Sequence, residues 1–272
     1  MLLVMRIGGA FGSAVLIMTV LSTAPATAAT QPEVAARAVY VVDSARTVHY
    51  SKRATKRAPV ASLVKIMTAY VVLREARLSD VVTIKKVDVR HAIANGATSA
   101  SLVKGERRTV EELLHGLMLP SGADASNALA RAYGPGKSAF VAKMNAAAKR
   151  LGMADTLYTN ADGLPSRAYS TPADQATLTM AALANPTFRA IVSRRTYKIP
   201  GHTWRNSNQL LGSEGVIGVK TGFTTAAGFC LAFAADRGGR RIVGVLLGDQ
   251  DKRRFRTAEQ LLDYAESRIA GS

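Results

Sequence analysis

From Gly215 onward, apolar runs alternate with glycine-bearing turns, and that pattern commits the C-terminal part of the chain to a sheet. Residues 217–223, 229–235 and 241–247 read as strands, linked by Ala226-Ala227-Gly228 and Arg237-Gly238-Gly239. Residues 257–269 then close as an amphipathic helix on Leu261, Leu262 and Ala265. Near the other end, residues 38–42 form a strand, Asp43-Ser44-Ala45-Arg46 a turn and residues 47–50 the returning strand; residues 81–84 are a further short strand. The segments between are helical. Thr109 and Glu112 make a capping box for a helix carrying Leu113, Leu114, Leu117 and Met118, which Pro120 stops. A second helix runs from Asp124 to Ala132, a third carries Phe140, Val141, Met144, Ala148 and Leu151, and Thr171-Pro172 starts a fourth. The expected plan is an outer α/β frame around a helical middle, with no low-complexity linker and no second domain after the last helix.

The N-terminus carries an export signal. Arg6 precedes an uncharged stretch, residues 7–21, and Ala26-Thr27-Ala28 offers a small-x-small cleavage site. The stretch falls short of the roughly 20 apolar residues of a membrane span. We therefore expect residues 1–28 to be removed, residues 29–272 to form one catalytic unit, and no stable membrane anchor to remain. The compartment is exported, periplasmic or otherwise extracytoplasmic. The formal charge of +17 does not imply nucleic acid: the cations lie scattered in pairs and triplets, and aromatics are too few for a stacking platform. Attraction to an anionic cell envelope accounts for it more economically. Cys230 is the single cysteine and reads as a buried small hydrophobe. His49, His91, His115 and His202 show neither ligand spacing nor a paired acid, so no metal or cofactor is expected.

Three short strings make chemical sense together: Ser62-Leu63-Val64-Lys65, Ser121-Gly122-Ala123 and Lys220-Thr221-Gly222. Ser-x-x-Lys alone is weak evidence, arising by chance about once in a chain of this length. Indeed Ala61-Ser62-Leu63-Val64-Lys65 recurs as Ala100-Ser101-Leu102-Val103-Lys104. Context separates the copies. Ser62 follows Pro59 and opens a helical pattern on Val60, Leu63, Val64, Met67, Tyr70 and Val71, which puts serine and lysine on one face at the positive end of the helix dipole. Ser101 runs into Gly105-Glu106-Arg107-Arg108, read as a turn.

In their order and spacing these motifs resemble the serine penicillin-recognising enzymes, with their Ser-x-x-Lys, Ser-x-Asn and Lys-Thr-Gly signature. The similarity is greatest to the D-alanyl-D-alanine carboxypeptidases, the low-molecular-mass penicillin-binding proteins of the S11 type, and spans residues 38–265. Ala61-Ser62-Leu63-Val64-Lys65-Ile66-Met67-Thr68, Gly116-Leu117-Met118-Leu119-Pro120-Ser121-Gly122-Ala123-Asp124-Ala125 and Gly218-Val219-Lys220-Thr221-Gly222-Phe223-Thr224 carry it. The resemblance implies an α+β fold of the β-lactamase/DD-peptidase kind: an antiparallel five-stranded sheet flanked by helices, a helical lobe, and a site between them. It implies a peptidoglycan stem peptide ending in D-Ala-D-Ala as substrate and β-lactams as covalent inhibitors.

Acyl transfer needs a nucleophile, a base and donors for the oxyanion. Ser62 supplies the oxygen. Lys65 takes its proton if burial and a second cation, Lys220, depress its proton affinity. Ser121 relays a proton to the leaving amine. By resemblance, the N–H groups of Ser62 and Phe223 form the oxyanion hole, and Lys220, Thr221 and an arginine at the start of the last helix meet the substrate carboxylate. Arg254 is the position expected for that arginine, with Arg253 and Arg256 close by. Gly222 lets the strand backbone approach the ligand. One departure stands out: Ala123 occupies the place of the family's usual asparagine, and Asp124 or Asn127 is left to compensate. Beside the carboxypeptidase stand two alternatives, a transpeptidase or endopeptidase on the same scaffold and a catalytically weakened wall-binding protein. A β-lactamase is disfavoured, because no glutamate lies between Glu112 and Glu214 to activate a deacylating water.

Overall fold

Successive strand residues face opposite sides of their sheet, and in this protein both sides are apolar, so the sheet is sandwiched between helices. A computed structural model describes residues 30–165 and 167–271; the expected export signal, residues 1–28, lies outside them. Among the described residues the first elements are β1 (Ala38–Asp43) and β2 (Val48–Lys52), then a 3-10 turn (Ala61–Leu63) leading directly into α1 (Val64–Glu75). The lobe follows as β3 (Val81–Thr83), α2 (Lys86–Ala94), β4 (Arg107–Thr109), α3 (Val110–Met118), α4 (Ala123–Tyr133) and α5 (Lys137–Arg150). Next come α6 (Pro172–Leu183), α7 (Pro186–Val192) and a hairpin of β5 (Thr196–Ile199) and β6 (His202–Arg205). Finally β7 (Val216–Thr224), β8 (Gly228–Arg237) and β9 (Arg240–Asp249) precede α8 (Arg253–Ala270).

The main sheet has the order β2-β1-β9-β8-β7, every pair antiparallel. The first hairpin therefore docks on the last strand, and the two ends of the chain build one frame. Ala232, Ala234, Val243 and Val245 face α6 and the lobe, while Leu231, Phe233, Ala235 and Ile242 face Phe255, Ala258, Leu261 and Leu262 of α8. Gly244 makes room for one ring: a Cβ there would sit 2.1 Å from Phe233 Cζ. Replacing a buried phenylalanine of this kind by alanine typically costs about 3–5 kcal/mol. No helix of the described residues is long and apolar enough to cross a membrane.

The local signals act as read. Glu112 N donates to Thr109 Oγ1 and Thr109 N to Glu112 Oε2, completing the capping box of α3. Thr171 accepts from Asp174 N at the start of α6. Other parts differ from expectation. The turn read at 105–108 is confined to Lys104-Gly105, because Arg107–Thr109 pair with β3 as β4. Neither α2, α7 nor the β5–β6 hairpin was foreseen. The expected single buried face of α1 also understates its setting. Ile66, Thr68, Ala69 and Val72 are fully buried too, because α1 runs through the middle of the lobe against α3, α4, α5 and α6.

Candidate active site

The strongest constraint on Ser62 is the turn that carries it. Ala61 has φ +48°, a left-handed conformation disfavoured for any residue with a Cβ. Two glycines press on it. A Cβ on Gly222 of β7 would lie 3.2 Å from Ala61 Cβ and Ser62 N, and one on Gly163 would lie 2.3 Å from the Ala61 carbonyl oxygen. Gly163 tolerates no side chain, and at Gly222 one would fit only if the turn gave way by a few tenths of an ångström, so the first and third motifs meet nearly backbone to backbone. One turn on, Lys65 Nζ donates to Ser62 Oγ at 3.0 Å and to the Asp162 carbonyl oxygen at 2.7 Å. Lys65 is 2% exposed.

Burial pulls the Lys65 amine down to about 8, against the opposing charges of Asp162 and Asp124. The expected cause is thus half right. Desolvation does the work at Lys65, and the lysine–lysine repulsion is felt at Lys220, which burial, Lys65 and Arg254 together push well below the ordinary range. Lys220, at 1% exposure, donates to the Thr221 carbonyl oxygen at 3.0 Å.

Ser121 links α3 to α4 with φ +70° and is 7% exposed. Gly122 beside it is held by close approach, since a Cβ would lie 2.7 Å from both Ala100 Cβ and the Gly116 carbonyl oxygen. Ala123 is wholly buried, and neither neighbour takes over an asparagine's role toward a ligand. The Asp124 carboxylate accepts from Ser99 Oγ, Ala100 N and Leu102 N, anchoring the second pentapeptide. Asn127 Nδ2 donates to the Ala123 carbonyl oxygen at 2.7 Å and lies 3.4 Å from Asp162 Oδ2, behind Lys65.

Ser207, which sequence reading missed, joins the middle and third motifs. Its N–H donates to the Leu119 carbonyl oxygen, just before Ser121, and its Oγ lies 2.6 Å from Thr221 Oγ1. Phe223 is 54% exposed and stacks on Phe229, and the Arg254 guanidinium lies over that same Phe229 ring at 4.8 Å. Arg254 Nε and NH1 are buried without a hydrogen-bond partner; Asp251 stands 3.9 Å away. Arg253 and Arg256 are exposed. Of the three arginines considered, Arg254 is the one turned inward, with donors free for an anion.

The histidines need correction. His49 pairs with Asp43, His91 with Asp162 and His202 with Glu106, at 3.0–3.1 Å for the first and last and 2.9 Å for the second. His115 stacks on Tyr197 with ring centroids 3.6 Å apart. These acids lie far from their histidines in sequence in two of the three pairs, which is why spacing did not reveal them. Cys230 is fully buried as expected, and burial pushes its thiol up to about 11.

With this geometry in place, the relatives are informative. A family model for D-alanyl-D-alanine carboxypeptidases, peptidase S11, matches residues 25–251. The D-alanyl-D-alanine carboxypeptidase of Streptomyces sp. (strain K15) is 41% identical over 255 residues, 86% of this chain and 88% of that one. The crystal structure of the Streptomyces K15 DD-transpeptidase superposes with a TM-score of 0.83 at 39% identity, covering 87% of this chain and 98% of that one. The carboxypeptidase DacF of Bacillus subtilis (strain 168) is 33% identical across 81% of this chain, which spans 59% of DacF. The protein belongs to the D-alanyl-D-alanine carboxypeptidase family of serine peptidases.

Proposed function

We propose that this protein is a serine D-alanyl-D-alanine carboxypeptidase acting outside the cytoplasm on peptidoglycan stem peptides. One observation carries the reading: a serine hydroxyl 3.0 Å from a lysine amine that burial brings to about 8. An ordinary lysine, near 10.4, is almost wholly protonated at neutral pH and accepts no proton; this one is neutral often enough to serve. As Ser62 Oγ attacks the carbonyl carbon of the penultimate D-alanine, Lys65 takes its proton. The oxyanion forms against the N–H groups of Ser62 and Phe223, the contribution of one such donor being about 10²–10³ in rate. The C–N bond breaks, Ser121 passes a proton to the departing D-alanine amine, and the peptide stays esterified to Ser62. Water then hydrolyses the ester and regenerates the hydroxyl. Lys220, Thr221 and Arg254 hold the terminal carboxylate, and the two Arg254 nitrogens that lack a hydrogen-bond partner support that role.

A β-lactam offers the same amide and carboxylate, but its leaving amine remains tethered, so the ester persists. Mass spectrometry after mixing with benzylpenicillin should show an adduct on the peptide containing Ser62, and a diacyl-tripeptide mimic should release D-alanine. Rapid conversion to penicilloate with no adduct would move the protein toward the β-lactamases. A protein that neither forms the adduct nor releases D-alanine would be the wall-binding alternative. The K15 relative is named both carboxypeptidase and DD-transpeptidase, which keeps transpeptidation as a second reading. Adding an amine acceptor such as glycylglycine tests it, since a transpeptidase would yield the coupled peptide at the expense of hydrolysis.

A further inference from the structure

Behind Lys65 lie two residues that the reaction above does not use. The side chain of Asp162 is 1% exposed. His91 Nε2, on α2, donates to Asp162 Oδ2 at 2.9 Å, Asn127 Nδ2 of α4 lies 3.4 Å from the same oxygen, and Leu164 N donates to Oδ1 at 3.3 Å. Among the described residues, His91 and Asn127 supply the side-chain hydrogen bonds to this carboxylate. The carbonyl oxygen of Asp162 is also the acceptor that holds Lys65 Nζ. One residue therefore fixes the amine through its backbone and presents a charge to it through its side chain.

We propose that Asp162 and His91 are positioning residues for Lys65: His91 fixes the Asp162 carboxylate behind the amine, and the charge of that carboxylate governs the protonation of the amine facing Ser62. The inference rests on the reading of Lys65 as the base for Ser62. Its physical basis is the ammonium that Lys65 becomes on taking the proton. That ion would be almost fully buried and would face Lys220 of β7, itself beside Arg254 of α8. A carboxylate on the opposite side offsets both burial and repulsion, so the amine stays basic enough to accept the proton. Burial alone would raise the Asp162 carboxyl, but the His91 hydrogen bond and the charges of Lys65 and His91 outweigh it and hold the group ionised. The other charged groups around the pair are Asp124 of α4, which acts on Lys65 in the same sense as Asp162, and Lys137 of α5, which lies within the field of Asp162.

The pH dependence of acylation tests this, because a merely structural role would scale the rate without moving the profile. The second-order rate of Ser62 acylation by a chromogenic β-lactam is measured between about pH 6 and 10, spanning the ordinary and depressed lysine ranges. In the wild type the rate should rise through about 8. In Asp162→Asn the limb should move to lower pH by about one unit, with a lower plateau from the weaker base. His91→Leu should move it in the same direction, and His91→Gln, which keeps an N–H donor, should restore the wild-type position. A limb that stays in place in both Asp162→Asn and His91→Leu, or a rate lowered equally at every pH, overturns the inference. Should Asp162→Asn fail to fold, the two His91 variants decide alone, since the His91 side chain, unlike that of Asp162, is partly exposed at 19%. A wild type that no β-lactam acylates overturns the reading of Ser62 and Lys65 first, and this inference with it.

Discussion

Two identical pentapeptides, residues 61–65 and 100–104, end in opposite states within one molecule. In the first, a 3-10 turn passes into α1 and the lysine is buried. The second is an extended loop in which Ser101 has φ +61°, Val103 is 60% exposed and Lys104 points to solvent. Local propensity is the same in both, so the neighbours decide. Ile66-Met67-Thr68-Ala69 continue the first copy as a helix that the lobe can surround. Gly105 ends the second, and its backbone N–H groups find the Asp124 carboxylate instead of helical carbonyls. Trp204 Nε1 donates to the Ala100 carbonyl oxygen at 2.8 Å and completes the anchorage. The second copy is scaffold: Ala100 is the surface on which Gly122, next to Ser121, packs.

Substitution can break this asymmetry at several levels. Ser62→Ala should abolish covalent penicillin labelling, while Ser101→Ala should leave it intact; equal loss in a folded Ser101 variant would undo the distinction. Lys65→Met should lower acylation by about 10³-fold or more and at the same time stabilise the fold. A lysine brought down to about 8 on folding penalises the native state at neutral pH by on the order of 3 kcal/mol, and the penalty fades as pH rises from about 8 toward the unfolded value near 10.4. Urea unfolding should therefore give Lys65→Met a gain of about 1–3 kcal/mol at pH 7, and Lys104→Met no change in either property. Asp124→Asn, acting on the second copy, should cost about 2 kcal/mol and weaken labelling a few-fold through the Gly122 contact. Unchanged stability there would mean that the loop holds itself.

What was legible in the sequence follows the same division. The strands β7 to β9 declare themselves because apolar runs and glycine turns are local, and the N-caps of α3 and α6 because a cap needs only nearby residues. The three motifs were readable as chemistry because their residue types are unusual in combination. The missed hairpin β5–β6 did leave a signal, Pro200-Gly201 between Tyr197, Ile199 and Trp204, whereas α2 exposes Val87 and Ile93 and so shows no clear apolar face. Beyond reach were contacts that exist only once the lobe closes. His91 and Asp162 are 71 residues apart, Ser207 touches Thr221 from a loop without regular structure, and nothing in Asp124 itself says that its partners are the amides of residues 100 and 102.

The crowding of Lys65, Lys220 and Arg254 has a calorimetric consequence. Burial first, and then the neighbouring Lys65 and Arg254, make Lys220 give up its proton more easily than a free amine. A carboxylate arriving at Lys220, Thr221 and Arg254 reverses that balance, because an anion favours the ammonium form. Ligand entry is therefore coupled to proton uptake from solvent. The heat released on binding a carboxylate ligand will carry the ionisation enthalpy of whichever buffer supplies the proton, and the affinity will fall as alkaline pH makes that proton scarce.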